Sequence, residues 1–233
     1  MRFKTLATVA GSVLSAIIAA TVFVSPQAQA AIACPSPSNW GVYSGPPSLA
    51  PCDIGNLEFS QFGFSPGGNQ PPTAAQIGVT TIGTPGNEGF NFNPAFNVVN
   101  GAITDAALRF VVTGLNGTLI DDLSIDFNGS FAGGGSTSFT ETYCTISFST
   151  GCNVFSVTNP PPNFAHHIDI TPTTTLWITK DIIANSGGEG GNAAISVVEN
   201  QFSNTRVPEP ASLAIFGAAL AGLGLIRRRR KNV

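Results

Sequence analysis

Four cysteines, one pair of histidines and a thin scatter of acids are the residues of this 233-residue chain that could do chemistry. Cys34, Cys52, Cys144 and Cys152 allow three disulfide pairings. The local one, Cys34 with Cys52 and Cys144 with Cys152, closes two short loops, worth roughly 3.2 and 2.6 kcal/mol by the chain-entropy argument. Disulfides are the expectation in an oxidising compartment, and the lack of Cys-x-x-Cys spacing argues against a thiolate zinc site. His166-His167-Ile168-Asp169 holds both histidines. On a strand His167 and Asp169 share a face, a spacing that could ligate a metal or orient a base, although polar residues on a wet face do the same with no chemistry.

The remaining candidates are carboxylates and aromatics. Asp105, Asp121, Asp122 and Asp126 could offer oxygens to calcium, but not at EF-hand spacing. A solvated acidic face is the simpler expectation, so no cofactor is called for and calcium is the one candidate. Two of Asp121, Asp122, Asp126, Asp169 and Glu141 could form the acid pair of a polysaccharide hydrolase. Trp40, Tyr43 or Trp177 could stack on sugar rings in a carbohydrate-binding module. The interior of the chain has no Gly-x-Ser-x-Gly elbow, phosphate loop or dinucleotide fingerprint, and oxidised cysteines leave no thiol nucleophile. The expectation is a protein that is not an enzyme.

Charge narrows the partners. Only 10% of residues are charged, against about 25% in ordinary soluble domains. Between the two termini twelve acids face only Arg109, Lys180 and Arg206. Such a body repels phosphate backbones, so nucleic acid is not an expected partner.

Both ends read as addresses. Arg2 and Lys4 precede an apolar run at residues 6–24, and Ala28 and Ala30 form an Ala-x-Ala pattern. This predicts a secretory signal peptide over residues 1–30, cut by signal peptidase between Ala30 and Ala31. At the other end Val207, Pro208, Glu209 and Pro210 precede an uncharged run at 211–226 and the cluster Arg227, Arg228, Arg229, Arg230 and Lys231. Sixteen helical residues reach about 24 Å, slightly short of a bilayer core, and snorkelling arginines cover the gap. The cations act as a stop-transfer signal and leave the acidic body outside. The two prolines keep the segment before the span extended, so that a processing enzyme can grip it.

The Val-Pro-Glu-Pro-Ala-Ser-Leu start at 207–213, the short glycine-containing span and the arginine cluster resemble the PEP-CTERM sorting signal of bacterial exosortase substrates. The resemblance covers only residues 207–231. It implies that Pro208, Glu209 and Pro210 are the recognition triplet, and that an exosortase-like enzyme cuts near them while the precursor sits in the inner membrane. It further implies a bacterium with an outer membrane, and a destination at the cell surface or in the extracellular matrix of a biofilm, beside extracellular polysaccharide. The Leu-Pro-x-Thr-Gly motif of wall-anchoring sortases is absent.

What must position these residues is the body at 31–206. Strand patterns are predicted at 57–64, 77–82, 108–113, 118–127, 138–147, 154–158, 167–170, 175–183 and 193–202, with Gly, Pro and Asn clusters between them. Asn116-Gly117 suits a tight turn, predicting that 108–113 and 118–127 pair as a hairpin; Asn100-Gly101 and Asn128-Gly129 offer the same turn chemistry on either side, making a meander. In 118–127, Leu119, Leu123, Ile125 and Phe127 alternate onto one face, with Asp121 at its edge, and Asp122, Ser124 and Asp126 onto the other. Fourteen of the 17 phenylalanines fall in this body, and the expected class is all-β, an antiparallel β-sandwich or jelly roll with a phenylalanine-rich core. The signal peptide precedes it, and a sorting signal with its short hydrophobic helix and basic tail, residues 207–233, follows.

Overall fold

The computed structural model describes residues 32–206. Ala28, Ala30 and Ala31, the residues of the predicted signal-peptidase cleavage site, lie outside the described residues. So do Val207, Pro208, Glu209 and Pro210, the apolar run, and Arg227, Arg228, Arg229, Arg230 and Lys231. Among the described residues no helix is long and apolar enough to cross a membrane.

The chain runs through β1 (Ser38–Asn39), α1 (Trp40–Ser44), β2 (Cys52–Ile54), β3 (Leu57–Gly68), a 3-10 turn at Ala74–Gln76, β4 (Gly78–Thr84), β5 (Asn87–Asn93), β6 (Phe96–Val99) and β7 (Ile103–Gly114). It continues through β8 (Thr118–Ala132), β9 (Ser136–Ser147), β10 (Thr150–Asn159), β11 (Ala165–Thr173), β12 (Thr175–Asn185) and β13 (Asn192–Arg206). These strands form two antiparallel sheets. The first has the order β1-β4-β5-β13-β8-β11, with β6 also on β13; the second has the order β10-β9-β12-β7-β3-β2. The inner faces bury one continuous core, and the class is an all-β sandwich.

Alternation explains most of it. In β12, Leu176, Ile178, Lys180, Ile182 and Ala184 point inward while the residues between them face outward half-buried. Phe59, Phe90, Phe92, Phe110, Phe139 and Phe202 are fully buried at the centre. Edge-on ring contacts such as Phe59–Phe90 at 4.7 Å link them, the geometry the ring quadrupole favours.

The predicted hairpin does not form. Leu115 O does accept from Thr118 N at 2.9 Å, and Asn116 and Gly117 take the positive φ values of 51° and 77° that the turn needs. Yet β7 lies between β12 and β3 in one sheet, and β8 lies between β13 and β11 in the other. The turn is an arch across the sandwich, because both edges of β7 are already filled by β3 and β12. Asn100-Gly101 likewise turns the chain from β6 in the first sheet to β7 in the second. Asn128-Gly129 makes no turn and lies inside β8. The meander expectation is therefore replaced by crossovers.

A second correction concerns the face of β8. Ser203 pairs with Asp122 but Asn204 with Ile120, so Asp121 is an extra residue, a bulge. Thr118 and Ile120 point inward before it, and Leu123, Ile125 and Phe127 after it. Leu119 is consequently on the outer side, which strict alternation could not show.

Trp40 and Tyr43, expected among sugar-stacking aromatics, are fully buried. They sit on α1, a strap between β1, an edge strand of the first sheet, and β2, an edge strand of the second. Before it, Ala33 bridges Asp53 of the second sheet and Cys34 is bonded to Cys52, while β1 pairs with β4 of the first sheet. The other disulfide, Cys144–Cys152, joins β9 to β10 across a directly paired position.

Candidate functional site

Three groups of polar side chains stand out, one on each outer face and one in the core. On the first sheet, β11 is the edge strand, and its Asp169 and His167 sit opposite Asp122 and Ser124 of β8. His167 Nε2 lies 3.2 Å from Asp169 Oδ1, and Nδ1 lies 3.9 Å from Asp122 Oδ1. The ligand atoms of Asp122, His167 and Asp169 all fall within 4.8 Å of one another, and Asp122 Oδ1 is buried without a hydrogen-bond partner. One imidazole with two carboxylates could hold a divalent cation, a donor set closer to zinc or another transition metal than to the all-oxygen shell of calcium. The four calcium candidates do not converge: Asp105 is on β7 in the other sheet, and Asp126 is exposed farther along β8.

On the outer face of the second sheet a groove of about 460 Å³ is lined by Phe64, Ser65, Ala107, Leu108, Arg109, Phe148 and Thr179. The Arg109 guanidinium lies over the Phe148 ring at 5.4 Å. Opposite Arg109 and Asp105 on β3 are Gly63 and Gly67, and a Cβ on either would collide with those side chains. The glycines thus let one cation and one anion lie flat across a neighbouring strand. Burial, then a hydrogen bond and the nearby charge of Asp105, push the Asp181 carboxyl up from 3.8 to about 7. The folded state therefore holds a proton that the unfolded chain has released, and stability from this group is lost as pH rises from 3.8 through about 7. Thermal melting between those limits checks this: Tm is expected to fall toward neutral pH, and Asp181→Asn to flatten that slope.

The third group is internal. Lys180 on β12, Glu141 on β9 and Asn200 on β13 are each fully buried at inward-facing strand positions. Lys180 Nζ donates to Glu141 Oε2, and Asn200 Nδ2 donates to the same oxygen at 2.9 Å and to Ser124 O at 3.2 Å. Phe139, Phe110, Phe92 and Phe202 surround Nζ with ring centroids at 5.3, 5.4, 6.0 and 6.0 Å. Burial pushes Lys180 down to about 8 and Glu141 up, outweighing the mutual attraction that opposes both shifts. Glu141 is sealed from solvent, so it cannot join the surface acids Asp121, Asp122, Asp126 and Asp169 in a hydrolase pair.

Glu88 is a further charged residue in the interior and has a bracing role. It is fully buried and accepts from Gly86 N at 3.3 Å, Asn56 N at 3.4 Å and Asn204 Nδ2. It thereby ties the β2–β3 and β4–β5 turns to β13. Gly55, at φ 59°, has no room for a Cβ beside Glu88 Oε1. Gly55→Ala is expected to destabilise by about 1–3 kcal/mol in denaturant unfolding, from backbone strain plus displacement of that carboxylate.

From the sequence, Glu141 is a candidate acid of a hydrolase pair and Lys180 one of the few cations, and nothing joins either to Asn200. The available signal was the phase: Phe139-x-Glu141-x-Tyr143, Ile178-x-Lys180-x-Ile182 and Val198-x-Asn200-x-Phe202 each place a polar residue in an apolar row.

Residues 206–231 match the PEP-CTERM protein-sorting motif. No curated protein matches the chain by sequence. Among solved structures, the chain is similar to TmCBM61 in complex with beta-1,4-galactotriose, at 10% identity and a TM-score of 0.30, covering 59% of this chain and 86% of that one. A family 11 carbohydrate-binding module from Clostridium thermocellum, in complex with a beta-1,3-1,4-mixed-linked tetrasaccharide, shares 11% identity at a TM-score of 0.19, covering 67% and 96%. Both scores are low, and the sandwich assignment rests on the chain's own strand pairing.

Proposed function

We propose, from a chain whose tail carries the PEP-CTERM protein-sorting motif, that the β-sandwich is a non-enzymatic component of the cell surface or biofilm matrix, set free or transferred by an exosortase. The motif marks an exported protein that is anchored in the membrane before processing. The observation that carries the proposal is the position of the motif at the end of the last strand. β13, the strand between β5 and β8, ends at Arg206, where the motif begins. A cut near Pro208, Glu209 and Pro210 would remove the tail while leaving every strand of both sheets intact. Cell fractionation with intact-mass measurement tests it. In a host with an exosortase the mature body is expected outside the inner membrane, ending near residue 210, and Glu209→Ala is expected to leave the precursor in the membrane. A wild-type chain that keeps residues 211–233 in the inner membrane of such a host would sink the reading.

A second reading is favoured by the outer groove of the second sheet. The groove's arginine over Phe148 and, on the strands beside it, a carboxyl pair at Asp105 and Asp181 are groups that can engage hydroxyl-rich ligands, and matrix polysaccharide is the ligand this reading names. Binding on a glycan array, with and without chelator, that is lost in Arg109→Ala would support it; silence across a broad array would remove it. Calcium enters this reading only if the chelator abolishes binding.

A further inference from the structure

The buried trio of Lys180, Glu141 and Asn200 is more than an ion pair needs. Both the amine and the amide nitrogen donate to one oxygen, Glu141 Oε2, so they are no farther apart than two hydrogen bonds laid end to end. Two polar atoms of the trio, Glu141 Oε1 and Asn200 Oδ1, are buried with no partner. Orphaned buried acceptors are rare and ask for a reason. Here they are the free oxygen of the acid and the carbonyl oxygen of the amide, the two atoms an acid-assisted attack on that amide would use. Rings from both sheets, Phe92 and Phe202 on one side and Phe110 and Phe139 on the other, exclude water.

We propose that Lys180 and Asn200 condense into an intramolecular isopeptide bond, with Glu141 relaying the protons, so that one covalent staple joins β12 of the second sheet to β13 of the first. The apolar cage favours the neutral pair, a free amine beside a carboxylic acid, over two buried charges. The burial-driven shifts of Lys180 and Glu141 run in that direction. The lone pair on Nζ attacks Asn200 Cγ, a C–N bond forms, and the carbonyl electrons move to Oδ1, where the Glu141 proton neutralises them. The carboxylate so formed takes a proton from Nζ and passes it to Nδ2. As the proton on Oδ1 returns to Glu141, the Cγ–Nδ2 bond breaks and ammonia leaves. One amine and one primary amide become one secondary amide and ammonia; the reaction consumes no oxidant, reductant or cofactor. The role of the rings is to keep water from competing for the amide and from solvating the ammonium.

Mass spectrometry of the folded full chain, denatured and with its disulfides reduced, tests this. The expected intact mass is lower than the sequence mass by one ammonia. Proteolysis is expected to release a branched peptide joining the segment with Lys180 to the segment with Asn200. Succinimide formation at Asn100-Gly101, Asn116-Gly117 or Asn128-Gly129 would also lose ammonia, so the branched peptide decides. Asn200→Ala and Glu141→Gln are expected to give linear peptides only. A folded wild-type chain yielding only linear peptides at Lys180 and Asn200 overturns the proposal, whatever the variants do, and leaves the trio as a plain buried ion pair. A branched peptide that still forms in Glu141→Gln overturns the role given to the acid.

Discussion

Trp40→Ala is expected to lower the unfolding free energy by about 3–5 kcal/mol, the range for losing a large buried aromatic side chain. Trp40 is fully buried, stacks on Tyr43 at 5.4 Å, and meets Phe62, Phe90, Phe92 and Phe110 at 5.6–6.4 Å. Its Nε1 donates to Gly63 O at 3.0 Å, so the variant also strips a partner from a carbonyl inside the sandwich. The residue sits on the strap between the two sheets, and Tyr43, whose hydroxyl donates to Pro35 O at 2.6 Å, would lose its stacking partner with it. Guanidinium unfolding of the oxidised protein measures this. A loss below about 1 kcal/mol would mean that the strap is peripheral to the cooperative unit.

Lys180→Met is expected to cost at least a similar amount, about 3–5 kcal/mol before the lost staple is counted, because it strips the caged Glu141 carboxyl of the Lys180 nitrogen that donates to it. The double variant Lys180→Met/Glu141→Leu is expected to recover only the part of that loss that comes from the stranded carboxyl, since it removes that group as well. Neither variant can form the amide to Asn200, so the difference between them isolates the cost of burying an unpaired acid. The shortfall of the double variant against the wild type then reports the staple, roughly 3 kcal/mol for a loop of this length if cross-link entropy acts as it does in disulfides. Equal stability of single and double variants would show that the carboxyl finds another partner or water once Lys180 is gone.

The same residues show how far the sequence could be read. Strand positions were legible because burial on one face imposes a period of two, as at Thr175–Asn185, where every inward residue but one is apolar. The exception, Lys180, was visible as a break in the pattern, but a break carries no partner. Glu141 is 39 positions away and Asn200 donates to it from 59 positions away. The groups meet only because β9 and β12 are neighbours in one sheet and β13 packs opposite them in the other. The turn at Asn116-Gly117 was read correctly as local chemistry and wrongly as a hairpin. Positive φ is a property of two residues, whereas which strand fills an edge depends on the whole sheet order. The bulge at Asp121 escaped for a related reason: it exists in the pairing of β8 with β13 and has no local signature.

The C-terminal sorting motif and the all-β class were therefore properties of the chain itself. A short sorting motif and two-residue periodicity are carried by neighbours in sequence, and each can be read without reference to distant parts. The crossovers between the sheets, the burial of Trp40 and Tyr43, the meeting of Asp122 with His167 and Asp169, and the caged trio of Lys180, Glu141 and Asn200 were decided only by tertiary structure. Each depends on contacts between strands far apart in the chain, and those contacts are selected by the packing of the whole core.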